Sequence, residues 1–540
     1  MGGRRLSAEA ALLALVLALA AALRVSGIGY GLPQLFDLDE PIFSDLAMKM
    51  VAERTLRPGW YGAPGAPVLD LLALAYNLVA GVGMALGSFA DFGDVVAAYK
   101  TDRAPFFLIG RALTALVSWL AVLALYRTLR KGFAFAPALL GAAVLAVSPG
   151  VVTISQIIRM DAFLTLFLIL VVHFAIDAAR GEGPRAYVFA GVALGFAVVS
   201  KYPGVVGVVV IACAAAESVA AGRAAPGAAL RGLGLAALAS VATAFAVAPY
   251  LFLDFAVAVE NVLHEARAYH LGRTSAGFLP ALGFYLGEAL PAMVGWPAYL
   301  GGVLGLALLA GDRTWRPAAV FVPVFLVFLA ALPLTWERWA VPLAPFLALG
   351  VARLGSDLER LARGGGALRR AAPALLALLV LAPPTLTAVR ESHLRAADRD
   401  TRVVAERWIR DHLPRGAVIL VEEYAPQLSA ADYDLRVLQG GRPMRWLEAD
   451  FGPRLRPWID ALPFGAPALD VESMRRAGIE YVVLADWYDR YKADAPFHAG
   501  RVAFYEALLA RTTPVAEFAP GPALLGPKIR VLRIPARPRP

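Results

Sequence analysis

Long apolar runs, separated by short polar loops, dominate the first 389 residues. The first run extends from Ala8 to Leu23, and ten more lie near 104–126, 134–150, 161–180, 186–200, 203–221, 232–253, 287–310, 317–334, 339–354 and 371–389. About 20 apolar residues suffice to cross the hydrocarbon core of a bilayer. The pattern therefore predicts about 11 transmembrane helices. A cleaved signal peptide is the alternative interpretation of the first run, because small residues end it.

One further apolar stretch, from Pro67 to Ser88, has the length of a span but is predicted not to cross. If it is left out, the loops at alternate ends of the spans divide into a set with 14 basic residues and a set with 5. Lysine and arginine accumulate in cytoplasmic loops, so the richer set is predicted to be cytoplasmic. A crossing at 67–88 would reverse this bias against Arg4 and Arg5, which precede the first span. The sequence thus predicts a cytoplasmic N-terminus and an extracytoplasmic C-terminus.

The pattern changes near residue 390, where charged residues become frequent. Strand-like runs are Ala417–Glu422, Tyr481–Ala485, Pro514–Phe518 and Ile529–Ile534, and helical patterns at 401–412, 471–477 and 501–510 alternate with them. Such alternation is typical of an α/β domain. We therefore expect an α-helical polytopic membrane module over 1–389, with a long first external loop at 25–103, and a small extracytoplasmic α/β domain over 390–540.

The composition agrees with a membrane protein. Of the 540 residues, 59% are hydrophobic and 17% are charged, against roughly 25% charged in soluble domains. The net charge of +9 is explained by loop arginines that fix topology, so no nucleic-acid partner is expected. The single cysteine, Cys213, excludes an intrachain disulfide and a thiolate metal site. No metal ion, cofactor or Gly-rich nucleotide loop is predicted, and the spacing of His264 and His270 does not fit a zinc protease helix.

An acidic cluster, Asp37-Leu38-Asp39-Glu40-Pro41, follows the first span. Carboxylates near a bilayer are costly to desolvate, so they need water or a function. The predicted topology brings further ionisable residues to the same face. The candidate set is Asp39, Glu40, Arg159, Asp161, Lys201, His264, Glu265, His270, Glu337 and Arg338.

Each candidate also has a purely structural interpretation. Asp161 fits the start of a helix, where an acid is favourable, and Lys201 fits a lysine that extends to the membrane surface. Arg338 fits an interfacial anchor beside tryptophans, and His264 and Glu265 fit a solvated helix. A mixture of carboxylates and cations on one face nevertheless favours a reaction centre. Fixed cations stabilise a leaving phosphate, and a carboxylate serves as a general base.

Four short motifs carry a family resemblance. They are Asp39-Glu40, Ser155-Gln156-Ile157-Ile158-Arg159-Met160-Asp161, Ser200-Lys201-Tyr202, and Glu337-Arg338-Trp339 with Pro342 and Pro345. In order and sidedness they resemble motifs of the GT-C glycosyltransferases. The similarity is greatest to the group of protein mannosyltransferases and aminoarabinose transferases, glycosyltransferase family 39 and its relatives.

The resemblance implies an enzyme of the inner cell membrane that uses a polyprenyl-phosphate-sugar donor. It implies an inverting displacement onto a hydroxyl of an acceptor protein, lipid or glycan at the extracytoplasmic face. Asp39 would be the general base, and Glu40 a supporting acid or an acceptor-binding group. The candidates for the donor phosphate are Arg159, Lys201 and Arg338. Those for other ligand contacts are Asp161, His264, Glu265, His270 and Glu337.

Two other classes of protein compete with this interpretation. A transporter or lipid-carrier flippase would show inverted repeats and a site at the membrane midplane. The sequence shows no repeat, and its candidates gather at one face. A non-catalytic assembly or receptor protein, with the C-terminal domain as its binding module, would leave Asp39 dispensable.

Overall fold

The computed structural model describes residues 2–37, 39–266, 270–363, 366–422, 424–438 and 470–535. It divides into two compact units. The first, here the membrane unit, comprises Met1–Ile28, Asp39–Tyr269 and Arg273–Ser392. The second, here the C-terminal unit, comprises Gly29–Leu38, His270–Gly272 and His393–Pro540. The predicted division at 389/390 lies close to the one at 392/393, and the two short additional segments of the C-terminal unit were not foreseen.

The described part of the membrane unit is helical. Its helices are α1 Gly2–Val25, α2 Glu40–Glu53, α3 Ala66–Ala85, α4 Phe92–Thr101, α5 Ala104–Leu129, α6 Phe135–Val147, α7 Pro149–Ser155, α8 Asp161–Ala179, α9 Pro184–Ser200, α10 Val208–Ala220, α11 Pro226–Val247, α12 Pro249–Leu253, α13 Phe255–Glu265, α14 Phe278–Phe284, α15 Leu290–Val294, α16 Trp296–Leu309, α17 Arg316–Ala330, α18 Ala344–Ala362 and α19 Ala367–Ala396. Short 3-10 segments, Tyr202–Gly207 and Glu337–Leu343, precede α10 and α18.

The helices confirm the predicted fold class. Within the described residues, eight helices, α3 among them, are long and apolar enough to cross a membrane, and two bent pairs raise the number to ten. The pair α6 and α7 is bent by 57°, at Pro149, which cannot continue the hydrogen-bond ladder. Two shorter apolar helices, α9 and α17, add to this set. Every predicted span falls on one of these elements.

Helix α3, at the stretch 67–88, has the length of a span, yet its contacts lie at one end of the bundle. We call this the site end: the end at which α5 and α8 begin and α9 ends. Before α3, the Gly65 amide donates to Ser200 O at the end of α9, at 3.2 Å. Further along α3, the Tyr76 hydroxyl donates to Phe106 O at the start of α5, at 3.2 Å. Because α3 is also long and apolar enough to cross a membrane, its position outside the set of spans stays a prediction.

The loops predicted to be cytoplasmic meet at the opposite end. Lys131 Nζ lies 2.6 Å from Asp177 Oδ1 between the ends of α5 and α8. Arg316 Nη1 lies 2.5 Å from Glu217 Oε1 between the start of α17 and the end of α10. The ends that carry Lys131 and Arg316 therefore lie opposite the site end.

Helices α16 and α18 pack through glycines. A Cβ at Gly305 would lie 1.8 Å from Gly350 O, and a Cβ at Gly350 would lie 2.0 Å from Gly302 O. Small residues allow such close backbone approach between helices in membranes. The packing fixes α18, whose preceding 3-10 segment carries Arg338.

The C-terminal unit contains a five-stranded sheet. Its elements are α20 Thr401–His412, β1 Val418–Glu422, β2 Asp434–Leu438, α21 Val471–Arg476, β3 Tyr481–Leu484, α22 Trp487–Ala493, α23 Ala495–Arg511, β4 Thr513–Phe518 and β5 Ile529–Arg533. The strand order is β2-β1-β3-β5-β4; β1 is parallel to β2 and β3, and β5 is antiparallel to β3 and β4. The four predicted strands are confirmed, and β2 was missed.

A buried ion pair ties residues 29–38 to this unit. Asp400 accepts from Arg402 Nε and Nη2 at 2.8 and 2.9 Å, and the Tyr30 hydroxyl donates to the same carboxylate. The Arg402 guanidinium also lies 3.6 Å from the centre of the Phe36 ring. Burial by itself would raise the pKa of Asp400, but the hydrogen bonds and charge of Arg402 hold it below its usual value.

We expect Asp400→Asn to destabilise the C-terminal unit by about 3 kcal/mol, because it leaves Arg402 buried without its counter-charge. Asparagine still caps α20, so the loss of stability measures the removal of the negative charge and not the removal of the helix cap. Because the folded pKa of Asp400 is depressed, its stabilisation is present above the unfolded pKa of about 4 and is lost as the pH falls below it. The difference between wild type and variant should therefore shrink at low pH.

The measurement is amide hydrogen exchange at β1 and β3 in the purified full-length protein. Asp434→Asn is the control, since Asp434 forms an exposed pair with Arg436 and such pairs contribute under about 1 kcal/mol. Equal effects of the two substitutions would contradict the assignment.

Candidate active site

Asp39 lies at the centre of a charged cluster at the site end. It is the residue before α2, and its side chain does not cap that helix. Instead, its Oδ2 lies 2.5 Å from Arg159 Nη1 and 3.2 Å from Arg338 Nη1. The Asp39 side chain is 39% exposed, whereas that of Arg159 is 5% exposed. The carboxylate thus faces an accessible space, and the arginine behind it is held inside the protein.

Glu40, the neighbour of Asp39, is fully buried. Its Oε1 accepts from Arg111 Nε at 2.8 Å and its Oε2 from Arg111 Nη2 at 2.7 Å. Oε1 also accepts from the Ile158 amide at 2.8 Å, and Arg111 Nη1 donates to Ile28 O at 2.8 Å. These bonds join α2, α5 and the turn before Arg159. They favour a positioning role for Glu40 over the direct role that the resemblance implies.

Arg111 supports the candidate site through Glu40, and the sequence analysis missed it. It lies within α5, surrounded by apolar residues. An ionisable residue inside an apolar span is itself a signal of function or of a buried pair. That signal was present in the sequence, but its partner was not identifiable from spacing, since 71 positions separate Arg111 from Glu40.

Arg338 is positioned by an aromatic side chain and by a short strand pairing. Its guanidinium lies 4.4 Å from the Trp336 ring centre, and that of Arg273 lies 4.7 Å from the same ring. Arg273 also donates to Glu337 at 2.7 Å, so this carboxylate belongs to an exposed pair beside the cluster. The backbone is held because the Thr335 amide donates to Arg273 O at 2.8 Å. A cation over a tryptophan face is attracted by the ring.

Lys201 and Asp161 form a second pair next to the first. Lys201 Nζ lies 2.6 Å from Asp161 Oδ1, and Asp161 is 1% exposed. Asp161 also lies within electrostatic range of Arg338 and Arg159. The cluster therefore holds two carboxylates, Asp39 and Asp161, and three cations, which leaves one positive charge in excess. Such a cluster suits an anionic ligand.

For the remaining candidates, His264, Glu265 and His270, the contacts that the structure describes are not with the charged cluster around Asp39. His264 is exposed at the end of α13, and Glu265 lies next to Gly62. His270 belongs to the C-terminal unit, where its Nδ1 lies 3.2 Å from Leu271 O. Their part in ligand binding stays a prediction.

Comparison with known proteins supports the resemblance inferred from the motifs. Residues 108–244 match the family model of dolichyl-phosphate-mannose-protein mannosyltransferases. The matched segment, from α5 to α11, is therefore similar to that family. It lies within the membrane unit. No curated protein sequence gives a match.

Solved structures share the fold, among them the two that follow. The archaeal oligosaccharyltransferase AglB from Archaeoglobus fulgidus, in complex with an inhibitory peptide and a dolichol-phosphate, aligns with a TM-score of 0.53 at 15% identity, over 95% of this chain and 73% of its own. ArnT from Cupriavidus metallidurans in the apo state aligns with a TM-score of 0.52 at 16% identity, over 98% of this chain and 100% of its own. At these identities the likeness establishes the fold alone.

We expect Arg111→Met to destabilise the membrane unit strongly, by about 3–5 kcal/mol, because it leaves the Glu40 carboxylate buried and unpaired. The double variant Glu40→Gln/Arg111→Met should recover much of this loss, since no charge is then left buried. Thermal unfolding of the detergent-purified protein measures both. A double variant that is less stable than Arg111→Met would contradict the pairing.

Proposed function

We propose that the enzyme transfers a sugar from a polyprenyl-phosphate donor to an acceptor hydroxyl, with inversion at the anomeric carbon and Asp39 as the general base. The observation that carries the proposal is the convergence of two guanidinium groups on one carboxylate oxygen at the accessible face of a membrane-embedded cluster. The acceptor class is a protein, a lipid or a glycan.

The cations supply the donor site. Arg159 and Arg338 approach Asp39 Oδ2 from different elements, so their donors meet at one point. Planar guanidinium groups bind phosphate oxygens with directional, charge-assisted hydrogen bonds. A lipid-linked phosphate fits this place, since its tail lies in the bilayer and its headgroup reaches the membrane surface. The complex of AglB with dolichol-phosphate supports this class of ligand.

The transfer requires one base and no redox change. Asp39 accepts the proton of the acceptor hydroxyl as that oxygen forms its bond to the anomeric carbon. The bond from the anomeric carbon to the phosphate oxygen breaks, and its electron pair remains on the phosphate. Negative charge grows on the leaving phosphate beside the arginines, where fixed positive charge stabilises the transition state more than the ground state.

The side of the membrane follows from the basic loops. The 14 lysines and arginines of one loop set favour the cytoplasm for the end opposite to Asp39. We therefore assign the site end and the C-terminal unit to the extracytoplasmic side of the inner membrane. A donor attached to a membrane lipid is suited to that side, which has no supply of cytoplasmic sugar nucleotides.

We expect Asp39→Asn to lower kcat by about 10²- to 10⁴-fold, the usual contribution of a general base. The assay follows release of polyprenyl phosphate, together with mass spectrometry of glycans, lipids and proteins from cells that carry the variant. Glu53→Gln, at the exposed far end of α2, is the matched control and should leave turnover unchanged. Unchanged products in the Asp39 variant would rule out the proposed base and favour a transporter or a binding protein.

We expect Arg338→Ala to raise the KM for the donor by about 10- to 100-fold, because a charge-assisted hydrogen bond contributes about 1.5–3 kcal/mol. Arg338→Lys should lie between wild type and Arg338→Ala, since lysine keeps the charge but not the planar geometry. Donor titrations at saturating acceptor measure this order. A variant Arg338→Ala with a normal donor KM would exclude Arg338 from the phosphate site.

A further inference from the structure

We propose that Asp39 and the donor phosphate compete for Arg159 and Arg338, so that donor binding itself releases the base. The inference rests on the proposed function and specifies its order of events. The donor binds first, its phosphate takes the two arginines from Asp39, and the freed carboxylate then receives the acceptor hydroxyl.

The geometry makes the two anions mutually exclusive. The Nη1 atoms of Arg159 and Arg338 both reach the same oxygen, Asp39 Oδ2, at 2.5 and 3.2 Å. A phosphate oxygen that used these two donors would need the place of that carboxylate oxygen. A phosphate that takes this point between the arginines therefore replaces Asp39 there.

The carboxylate is able to move while its backbone stays. Its side chain makes no capping bond to α2 and is the most exposed group of the contact. The backbone is fixed on the C-terminal side of Asp39: the Ile42 amide donates to Asp39 O at 3.2 Å, and Glu40 is held by Arg111. Release thus proceeds by rotation of one short side chain.

The arginines are held more firmly than the carboxylate. Arg159 is buried and follows Ile158, whose amide is bound by Glu40. Arg338 lies over Trp336. When an anion competes with Asp39, the cations stay in place and the carboxylate leaves.

Lys201 takes no part in this exchange, because it is bound to the buried Asp161. Once Asp39 has rotated away, the charge of Asp161 is balanced by Lys201. Arg159 and Arg338 then supply two positive charges without a counter-charge from Asp39. This matches the charge of a fully ionised phosphate monoester, the group that forms when the anomeric bond breaks. The released lipid phosphate therefore holds the arginines better than the donor diester does, and Asp39 regains them only after that product leaves.

The test is the affinity of wild type and Asp39→Asn for polyprenyl phosphate in detergent, with polyprenol of the same chain length as the uncharged probe. No turnover is involved. Removal of the competing charge should tighten polyprenyl phosphate binding on the order of tenfold, while polyprenol binding stays unchanged. Equal or weaker binding of polyprenyl phosphate by the variant would overturn the inference.

Two controls test whether the tighter binding of polyprenyl phosphate comes from the loss of the contact between Asp39 and the arginines. Glu53→Gln removes a carboxylate from the exposed far end of α2 and should not tighten binding; an equal gain there would mean a general charge effect and would overturn the inference. In the background of Arg338→Ala, the gain from Asp39→Asn should shrink, because the two residues are then uncoupled. A full gain in that background would also overturn it.

A folding defect and a failure of the proposed function remain distinguishable. Thermal unfolding identifies a misfolded Asp39→Asn, and Asp39→Ala then repeats the measurement. If wild type binds polyprenyl phosphate no better than polyprenol, the proposed function fails together with the inference. If wild type prefers the phosphate but neither Asp39 variant binds it more tightly, only the order of events fails.

Discussion

The buried ion pair between Glu40 and Arg111 is the contact on which the site depends. Both charges lie out of water, so each requires the other, and the bidentate geometry fixes their relative orientation. The same glutamate binds the Ile158 amide. One carboxylate therefore sets the position of Asp39 on one side and of Arg159 on the other. The pair is a support for the charged cluster rather than a part of its chemistry.

The charged cluster contains ion pairs of different exposure, and an anionic ligand can compete for the more exposed one. Asp39 shares two arginines, whereas Asp161 holds Lys201 in a more buried pair. In surroundings of low polarity, opposite charges attract strongly, and an unpaired charge is expensive. In the proposed exchange, a phosphate replaces the exposed carboxylate, while the buried pair of Asp161 and Lys201 keeps its place.

Much of this arrangement could be predicted, and its limits have physical reasons. Asp39, Arg159, Lys201 and Arg338 were candidates because charge in an apolar chain is conspicuous. Arg111 was overlooked, because its partner is defined by the packing of α5 on α2 rather than by spacing along the chain. Strand β2 was overlooked as well, since its short segment carries two charged residues and becomes a strand through pairing with β1.

The sequence by itself determined the membrane class, the positions of the spans, the small α/β domain and the gathering of charged residues at one end of the bundle. These features follow from hydrophobic length and from the distribution of basic residues, which are local properties of the chain. Only the tertiary structure decided which charges pair. In the structure, Glu40 pairs with Arg111 and Lys201 pairs with Asp161. Arg159 and Arg338 both pair with Asp39. Pairing depends on distances of a few ångströms between helices that are remote in sequence, and no local pattern encodes those distances.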